Sequence, residues 1–174
     1  MKKLFLFFCF FCFSSMMFAL KIEERYIMKP HREGQLYFIL PYNIPAENKD
    51  IKDLSVDITY LTNSDSVTMN ISVWSENELK TDSIVLLGQR NISINDFDTF
   101  FIEKDGRKWL HRYSLRISWE NLVDLYATQN PFILNIYSES QNIRYTYSSK
   151  AWKSEQGWMN QILYLIARNK QFYK

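Results

Sequence analysis

Cysteine, histidine, glycine and proline are all scarce in this chain. The 174 residues contain two cysteines, two histidines, four glycines and four prolines. Cys9 and Cys12 both lie in an apolar run near the N-terminus. Without that run the chain has no thiol nucleophile, no cysteine metal ligand and no disulfide framework. No repeat, linker or low-complexity segment interrupts the rest, which predicts one domain over residues 20–174.

The N-terminus predicts export. A positively charged start precedes an almost wholly apolar run over residues 4–20, and Ala19 offers a small residue for cleavage. This pattern is typical of a secretory signal peptide, here residues 1–19, and it predicts a periplasmic or extracellular protein. An uncleaved anchor ranks second, because the run is shorter than the roughly 20 residues that span a bilayer. A lipoprotein ranks third, because phenylalanines rather than small residues precede each cysteine.

The small excess of positive charge belongs to this leader. The chain has 21 Lys and Arg against 19 Asp and Glu, a formal net charge of +2. Lys2 and Lys3 lie in the leader and no acidic residue does, so residues 20–174 are formally neutral. A neutral chain gives no electrostatic reason to bind nucleic acid or an anionic membrane. We also expect no membrane span after cleavage.

Motifs that carry chemistry are missing too. The sequence has no HExxH pair, no phosphate-binding glycine loop and no GxSxG turn, so we predict no metal and no cofactor. His31 lies in a polar turn, and His111 shares the apolar side of its strand, where a structural role explains it. Glu120 and Asp124 share one face of a short helix, as the polar side of an amphipathic helix would. The sequence therefore favours a non-catalytic protein.

Alternation of apolar and polar residues is clearest between Leu54 and Trp74. Apolar residues occupy every second position on both sides of a polar turn at residues 62–65. This pattern predicts an antiparallel hairpin with one buried face. With the turn as its loop, Ile58 faces Met69 on the apolar side and Thr59 faces Thr68 on the polar side.

Other stretches with strand character lie at 22–29, 35–40, 84–87, 92–94, 97–103, 107–117, 132–138 and 143–147. Asp105-Gly106 predicts a two-residue turn that pairs Ile102 with Trp109 and Phe100 with His111. A loop at 139–142 predicts that Ile136 faces Tyr145. Residues 41–49 contain two prolines and are predicted to be loop, and 92–94 is interpreted as a continuation of the strand before Gly88.

Two stretches change to helical spacing. Ser118 is a candidate N-cap for a short helix that ends before Pro131, and a longer helix is predicted near 155–170, beginning at Ser154-Glu155. Together these features predict a mainly β fold. We expect an antiparallel β-sandwich, or an open barrel, of about eight strands with a short inserted helix and a C-terminal helix.

Aromatic side chains are the remaining resource for binding. Trp and Tyr on a surface can stack on sugars or anchor a protein partner, and Trp74 lies at the end of a strand. Tyr137 and Arg144 share an apolar face that we expect the C-terminal helix to cover, unless a partner does. The candidate binding surface comprises Tyr137, Arg144, Trp152 and Trp158.

The sequence thus favours an exported non-catalytic protein that binds another envelope or extracellular component, either a protein or a glycan. One alternative is a small secreted hydrolase with a carboxylate or histidine site. Another is a structural subunit of a surface assembly, with residues 22–29 as the donated strand. A deep pocket with His111 and two carboxylates would favour the hydrolase, whereas a flat aromatic patch or an open sheet edge would favour the binding protein.

Overall fold

The computed structural model describes residues 22–171, so the predicted signal peptide lies outside the described residues. The helices wholly within them are α1 (Trp119–Ala127) and α2 (Ser149–Lys170). In chain order the strands are β1 (Tyr26–His31), β2 (Gly34–Ile44), β3 (Leu54–Leu61), β4 (Ser66–Ser75), β5 (Thr81–Leu87), β6 (Asn91–Ile94), β7 (Asp98–Asp105), β8 (Lys108–Ser118), β9 (Ile133–Ser138) and β10 (Asn142–Thr146).

The strands form two antiparallel sheets. The larger has six strands in the order β1-β2-β3-β4-β8-β7, and the smaller has four in the order β10-β9-β5-β6. Apolar residues from one face of each sheet and from both helices share one buried core. The predicted mainly β sandwich with an inserted and a C-terminal helix is confirmed, with ten strands in place of about eight. Within residues 22–171 no helix is both long and apolar enough to cross a membrane.

The hairpin of β3 and β4 has the predicted register. Ile58 pairs with Met69, and each side chain is 1% exposed. Thr59 pairs with Thr68 on the opposite, half-buried face. Because side chains alternate across a strand, a one-residue shift would expose the apolar residues, and the polar turn at residues 62–65 selects this register from those that remain.

The turn between β7 and β8 differs from the prediction by one residue. Asp105 pairs with Lys108, so the two turn residues are Gly106 and Arg107. Gly106 has a φ of 63°, and no residue other than glycine has a positive φ in the described chain. Glycine at the first central position with an ordinary residue after it is the pattern of a type II′ turn rather than type I′.

This turn changes the pairing along the hairpin. Ile102 lies opposite His111, not opposite Trp109 as predicted. The register shifts between Thr99 and Phe101, which leaves Phe100 in a bulge without a partner on β8. The predicted packing of Phe100 beside His111 is therefore wrong.

The β9–β10 register is also shifted from the prediction. Ile136 pairs with Ile143, and Leu134 pairs with Tyr145. The loop consists of residues 138–141, since the Ser138 hydroxyl bonds the Gln141 carbonyl oxygen at 2.7 Å and accepts from the Gln141 amide at 3.1 Å. These two bonds close the turn one residue earlier than predicted.

Two further strand boundaries differ from the sequence prediction. Strand β2 continues through Pro41 to Ile44, and its register on β3 shifts between Ile39 and Tyr42. A bulge accommodates a proline inside a strand because the missing amide is then not needed in the ladder. Strand β6 does not continue β5 but pairs with it antiparallel across residues 88–90.

Each helix begins at a serine N-cap. The Ser118 hydroxyl accepts from the Asn121 amide at 3.1 Å, as predicted for α1. Helix α2 begins at Ser149, earlier than predicted, because the Ser148 hydroxyl accepts from the Ala151 amide at 3.3 Å. The extra turn contains Trp152, which is 1% exposed and is the most deeply buried tryptophan of residues 22–171.

Helix α2 packs against the inner face of the sandwich. The Trp152 ring lies 5.6 Å from the rings of Tyr126 and Phe132 and 5.8 Å from Tyr147, measured between centroids. Phe132 lies just before β9 and packs against Trp152 on the inner face. Ile133 and Tyr137 point to the outer face of the sheet. The prediction that α2 covers the outer face of β9 is therefore wrong.

Candidate functional site

The four residues of the predicted binding surface do not lie together. Trp152 is in the core, where its indole N–H donates to the Thr128 carbonyl at 3.2 Å, so it cannot contact a partner. Trp158 is half-buried, with its N–H 2.7 Å from the Glu155 carboxylate. Tyr137 and Arg144 lie on the outer face of β9 and β10; Tyr137 is half-buried and Arg144 is exposed.

Arg144 lies beside a groove at one end of the sandwich. A depression of about 390 Å³ beside Arg144 adjoins a cavity of about 280 Å³ beside Trp74. The two share Asn48, Ile51 and Ile143, together with Gln141. We call their combined lining the loop groove; it consists of Glu47, Asn48, Asp50, Ile51, Trp74, Ser75, Glu76, Asn77, Lys108, Gln141, Asn142, Ile143 and Arg144.

The first wall is the loop after β2, residues 45–53. Backbone bonds of 2.9 Å join Pro45 and Glu47 to β10, and they cover part of that strand's free edge. The Asn48 side chain accepts from the Asp50 amide at 3.0 Å, and the Asp53 carboxylate accepts from the Ala46 amide at 3.3 Å. Asparagine and aspartate that bond nearby amides hold a loop in one conformation. The wall is therefore preorganised.

The second wall is the segment that leaves β4, residues 74–77. The Ser75 hydroxyl donates to the Asn77 carbonyl at 2.5 Å. His111 lies beneath this segment, with Nε2 at 3.0 Å from the Ser75 oxygen and 3.3 Å from the Leu79 amide nitrogen. The imidazole thus ties both ends of the segment to β8.

His111 has a positioning role and does not face the groove. Its side chain is buried, and this burial lowers the pKa of the imidazole below its ordinary value. The Leu79 amide can only donate, so its bond to Nε2 requires a neutral ring. The ring nitrogens lie within hydrogen-bond distance of Ser75, Leu79 and, at 3.4 Å, the Tyr113 hydroxyl. The Glu78 carboxylate and the Asn77 backbone act in the opposite direction on the pKa, and burial outweighs them.

Trp74 lies where the groove meets the outer face of the large sheet. The Lys52 ammonium lies 3.7 Å from the centroid of its ring, which is a cation–π contact. One face of the indole is therefore covered by a flexible, displaceable side chain. A planar apolar group can replace that ammonium at modest cost.

The lining mixes amides, aliphatic groups and charged side chains, with one more acidic residue than basic ones. The acidic residues are Glu47, Asp50 and Glu76, and the basic ones are Lys108 and Arg144, which lies 3.4 Å from Glu47. Three amide side chains, those of Asn48, Asn77 and Gln141, supply donors and acceptors in the deeper cavity. In residues 22–171 no three His, Cys, Asp or Glu side chains form a group suited to a metal ion. The groove therefore presents hydrogen-bond donors and acceptors from both amides and charged side chains.

A larger depression of about 450 Å³ lies between Tyr26 and Tyr164, on the far side of α2. Its lining comes from only two segments, residues 22–26 and 160–168. The loop groove is the better candidate because polar groups from several segments meet there.

Sequence reasoning marked two residues of the groove and missed the rest. Trp74 is recognisable as an aromatic at the end of a strand, and Arg144 belongs to the predicted binding surface, but nothing in the sequence indicates that the two border one groove. Asn48, Asp50 and Glu76 lie in polar loops without any motif, so no local pattern distinguishes them. Their convergence depends on the packing of two sheets.

Comparisons of this chain with protein-family models, curated proteins and solved structures each found no match.

Proposed function

We propose that this chain is an exported, non-catalytic binding protein that holds a glycan in the loop groove. The observation that carries the proposal is the meeting of three amides, two carboxylates and an indole on a cavity of about 280 Å³. That volume is close to the lower limit of about 300 Å³ for small-molecule sites. It suits one end of a saccharide whose remainder follows the adjoining depression towards Arg144.

The mixture of groups favours a sugar over other ligands. Each sugar hydroxyl both donates and accepts, so carboxylates such as Asp50 and Glu76 and amides such as Gln141 match it. Hydrogen bonds to charged groups are the strong ones, and Asp50 and Glu76 would supply them. Three acidic side chains against two basic ones offer no attraction for a polyanion such as nucleic acid. A glycan partner also agrees with the export predicted from residues 1–19.

Trp74 supports the same ligand class. The C–H face of a sugar ring packs on an indole, and here it would take the place of the Lys52 ammonium. The displaced ammonium would remain at the rim of the groove, within reach of sugar hydroxyls. Replacement of Lys52 by alanine is therefore expected to change the affinity several-fold at most, unlike loss of Trp74.

The test is a glycan array followed by calorimetry on the best ligand. Asp50→Asn and Trp74→Ala are each expected to weaken binding by about tenfold or more, since a hydrogen bond to a charged group contributes about 1.5–3 kcal/mol. Asp82→Asn is the matched control, because Asp82 is an exposed carboxylate on β5 outside the groove. Tyr164→Ala is the matched aromatic control. Equal losses in the control variants, or no glycan bound at all, would contradict the proposal.

A hydrolase remains the second candidate, and a specific observation supports it. Asp50 and Glu76 line one cavity, and glycosidases use two carboxylates on either side of the scissile bond. His111, however, does not line that cavity. Incubating the bound glycan with the protein and measuring new reducing ends separates the candidates. Turnover that Asp50→Asn or Glu76→Gln abolishes would replace the binding function with catalysis.

A further inference from the structure

One wall of the loop groove is held by a hydrogen bond that only neutral His111 can accept. Residues 76–80 follow β4 and form neither strand nor helix. The Nε2 atom of His111 lies 3.3 Å from the Leu79 amide nitrogen, and both side chains are buried. An amide N–H can only donate, so this bond requires a ring nitrogen without a proton. The Leu79 end of the wall is therefore anchored to His111 only while the imidazole is neutral.

The Ser75 end of the same wall responds in the opposite way. Its hydroxyl donates to the Asn77 carbonyl at 2.5 Å, and its oxygen lies 3.0 Å from Nε2 of His111. Because the hydroxyl hydrogen points to Asn77, the Ser75 oxygen can accept from a protonated Nε2. Protonation therefore moves the ring nitrogen from the Leu79 amide to Ser75. The buried Leu79 N–H then has no acceptor at His111 and faces another N–H, which favours movement of the segment.

The surroundings of the imidazole keep it neutral near neutral pH. Two titratable groups act on it: the Glu78 carboxylate, which favours the protonated ring, and the Tyr113 hydroxyl, 3.4 Å from Nδ1, whose own pKa is raised by burial. Strands β4 and β7 place the uncharged Val73 and Ile102 opposite His111. Burial outweighs Glu78 and lowers the pKa of the imidazole, so the ring gains its proton only in acid.

The wall that His111 holds carries part of the loop groove. Glu76 and Asn77 lie between Ser75 and Leu79, and both line the deeper cavity. Their side chains are exposed, so their positions depend on the backbone that the two buried contacts fix. Release of Leu79 therefore frees the segment that presents Glu76 and Asn77 to a ligand.

We infer that protonation of His111 opens this wall, so that the loop groove binds its glycan at neutral pH and releases it in acid. This regulation rests on the proposed function, because it acts on the same site. Release is coupled to uptake of one proton. The affinity should therefore fall by up to about tenfold per pH unit below the pKa of His111 in the free protein.

Calorimetry with the tightest-binding glycan of the array, from about pH 8 to about pH 5, tests the release. The unsubstituted chain should lose affinity as the pH falls. In His111→Gln the side-chain carbonyl can accept from the Leu79 amide without titrating, so most of that pH dependence should disappear. The matched control is His31→Gln, an exposed histidine at the end of β1, which should keep it. An unchanged pH dependence in His111→Gln would overturn the inference.

A second measurement needs neither a ligand nor a substitution. NMR can follow the titration of the His111 ring together with hydrogen exchange of the Leu79 amide, corrected for the intrinsic effect of pH. The Leu79 amide should lose protection as the ring gains its proton, while the Ile58 amide in the centre of the large sheet keeps it. Protection of Leu79 that persists through the titration would overturn the inference. If no glycan binds at any pH, the proposed function fails, and Leu79 exchange alone then decides whether the wall opens.

Discussion

The hydroxyl of Tyr145 is buried without a hydrogen-bond partner, which predicts that its removal stabilises the protein. The side chain is fully buried on the inner face of β10, and within residues 22–171 no hydrogen-bond partner lies within reach of its hydroxyl. Leaving such a group unsatisfied costs about 1–3 kcal/mol. We expect Tyr145→Phe to raise the free energy of unfolding by about 1 kcal/mol.

Tyr126 provides the matched control. Its hydroxyl lies 2.6 Å from the Tyr42 hydroxyl, and both side chains are buried. Tyr126→Phe removes that hydrogen bond and leaves the Tyr42 hydroxyl without its partner, so the free energy of unfolding should fall by about 1–3 kcal/mol. Adding Tyr42→Phe should recover part of the loss, because no polar group then remains unsatisfied. The same atom is removed at both sites, and the expected signs are opposite.

The assay is equilibrium unfolding in urea followed by tryptophan fluorescence, with the slope m compared between variants. Destabilisation by Tyr145→Phe as large as that by Tyr126→Phe would refute the reasoning. Alkaline pH gives a second readout. Burial raises the pKa of Tyr145 above its ordinary value, so the unfolded chain releases this proton more readily than the folded protein, and the free energy of unfolding falls as the pH rises above about 10. Tyr145→Phe should therefore lessen the alkaline loss of stability.

The remaining predictions concern the core, His111 and the leader. The pKa of His111 is lowered in the folded protein, so the free energy of unfolding should fall as the pH drops below about 6.5. His111→Gln should lower the free energy of unfolding near neutral pH and should also weaken its dependence on acid pH. Urea unfolding curves measure both effects. Ile58→Asp should cost several kcal/mol by burying a charge, whereas Thr59→Asp on the opposite face should cost little; equal losses would mean that β3 is not half-buried. Ile162→Ala should lower the free energy of unfolding by about 2–5 kcal/mol, and an unchanged melting temperature would show that α2 is not needed by the core. The intact mass of exported protein should correspond to cleavage after Ala19, and a full-length species would contradict it.

The sequence by itself determined the buried face and the register of the β3–β4 hairpin, and where α1 begins. Alternation sets the buried face of that hairpin, and the polar turn at residues 62–65 sets the register that pairs Ile58 with Met69. Ser118 marks the start of α1 because a capping hydroxyl satisfies a free amide at a helix end. Both are local effects, and no distant contact is needed to produce them.

Turn geometry decided the registers that the sequence left open. In the β7–β8 hairpin both candidate turns contain Gly106, and the choice of Gly106-Arg107 moves Ile102 from Trp109 to His111. In β9–β10 the Ser138 hydroxyl closes the turn. Alternation of side chains is preserved under a shift of two residues in pairing, so it cannot separate such registers.

The loop groove was decided by tertiary structure alone. It brings together residues 47–51, 74–77 and 141–144, which are adjacent only after the two sheets pack and the loop after β2 pairs with β10. The same packing placed Trp152 in the core and left Arg144 exposed, although the sequence predicted both as parts of one binding surface. Burial depends on which elements meet, and an isolated stretch of chain carries no information about its distant neighbours.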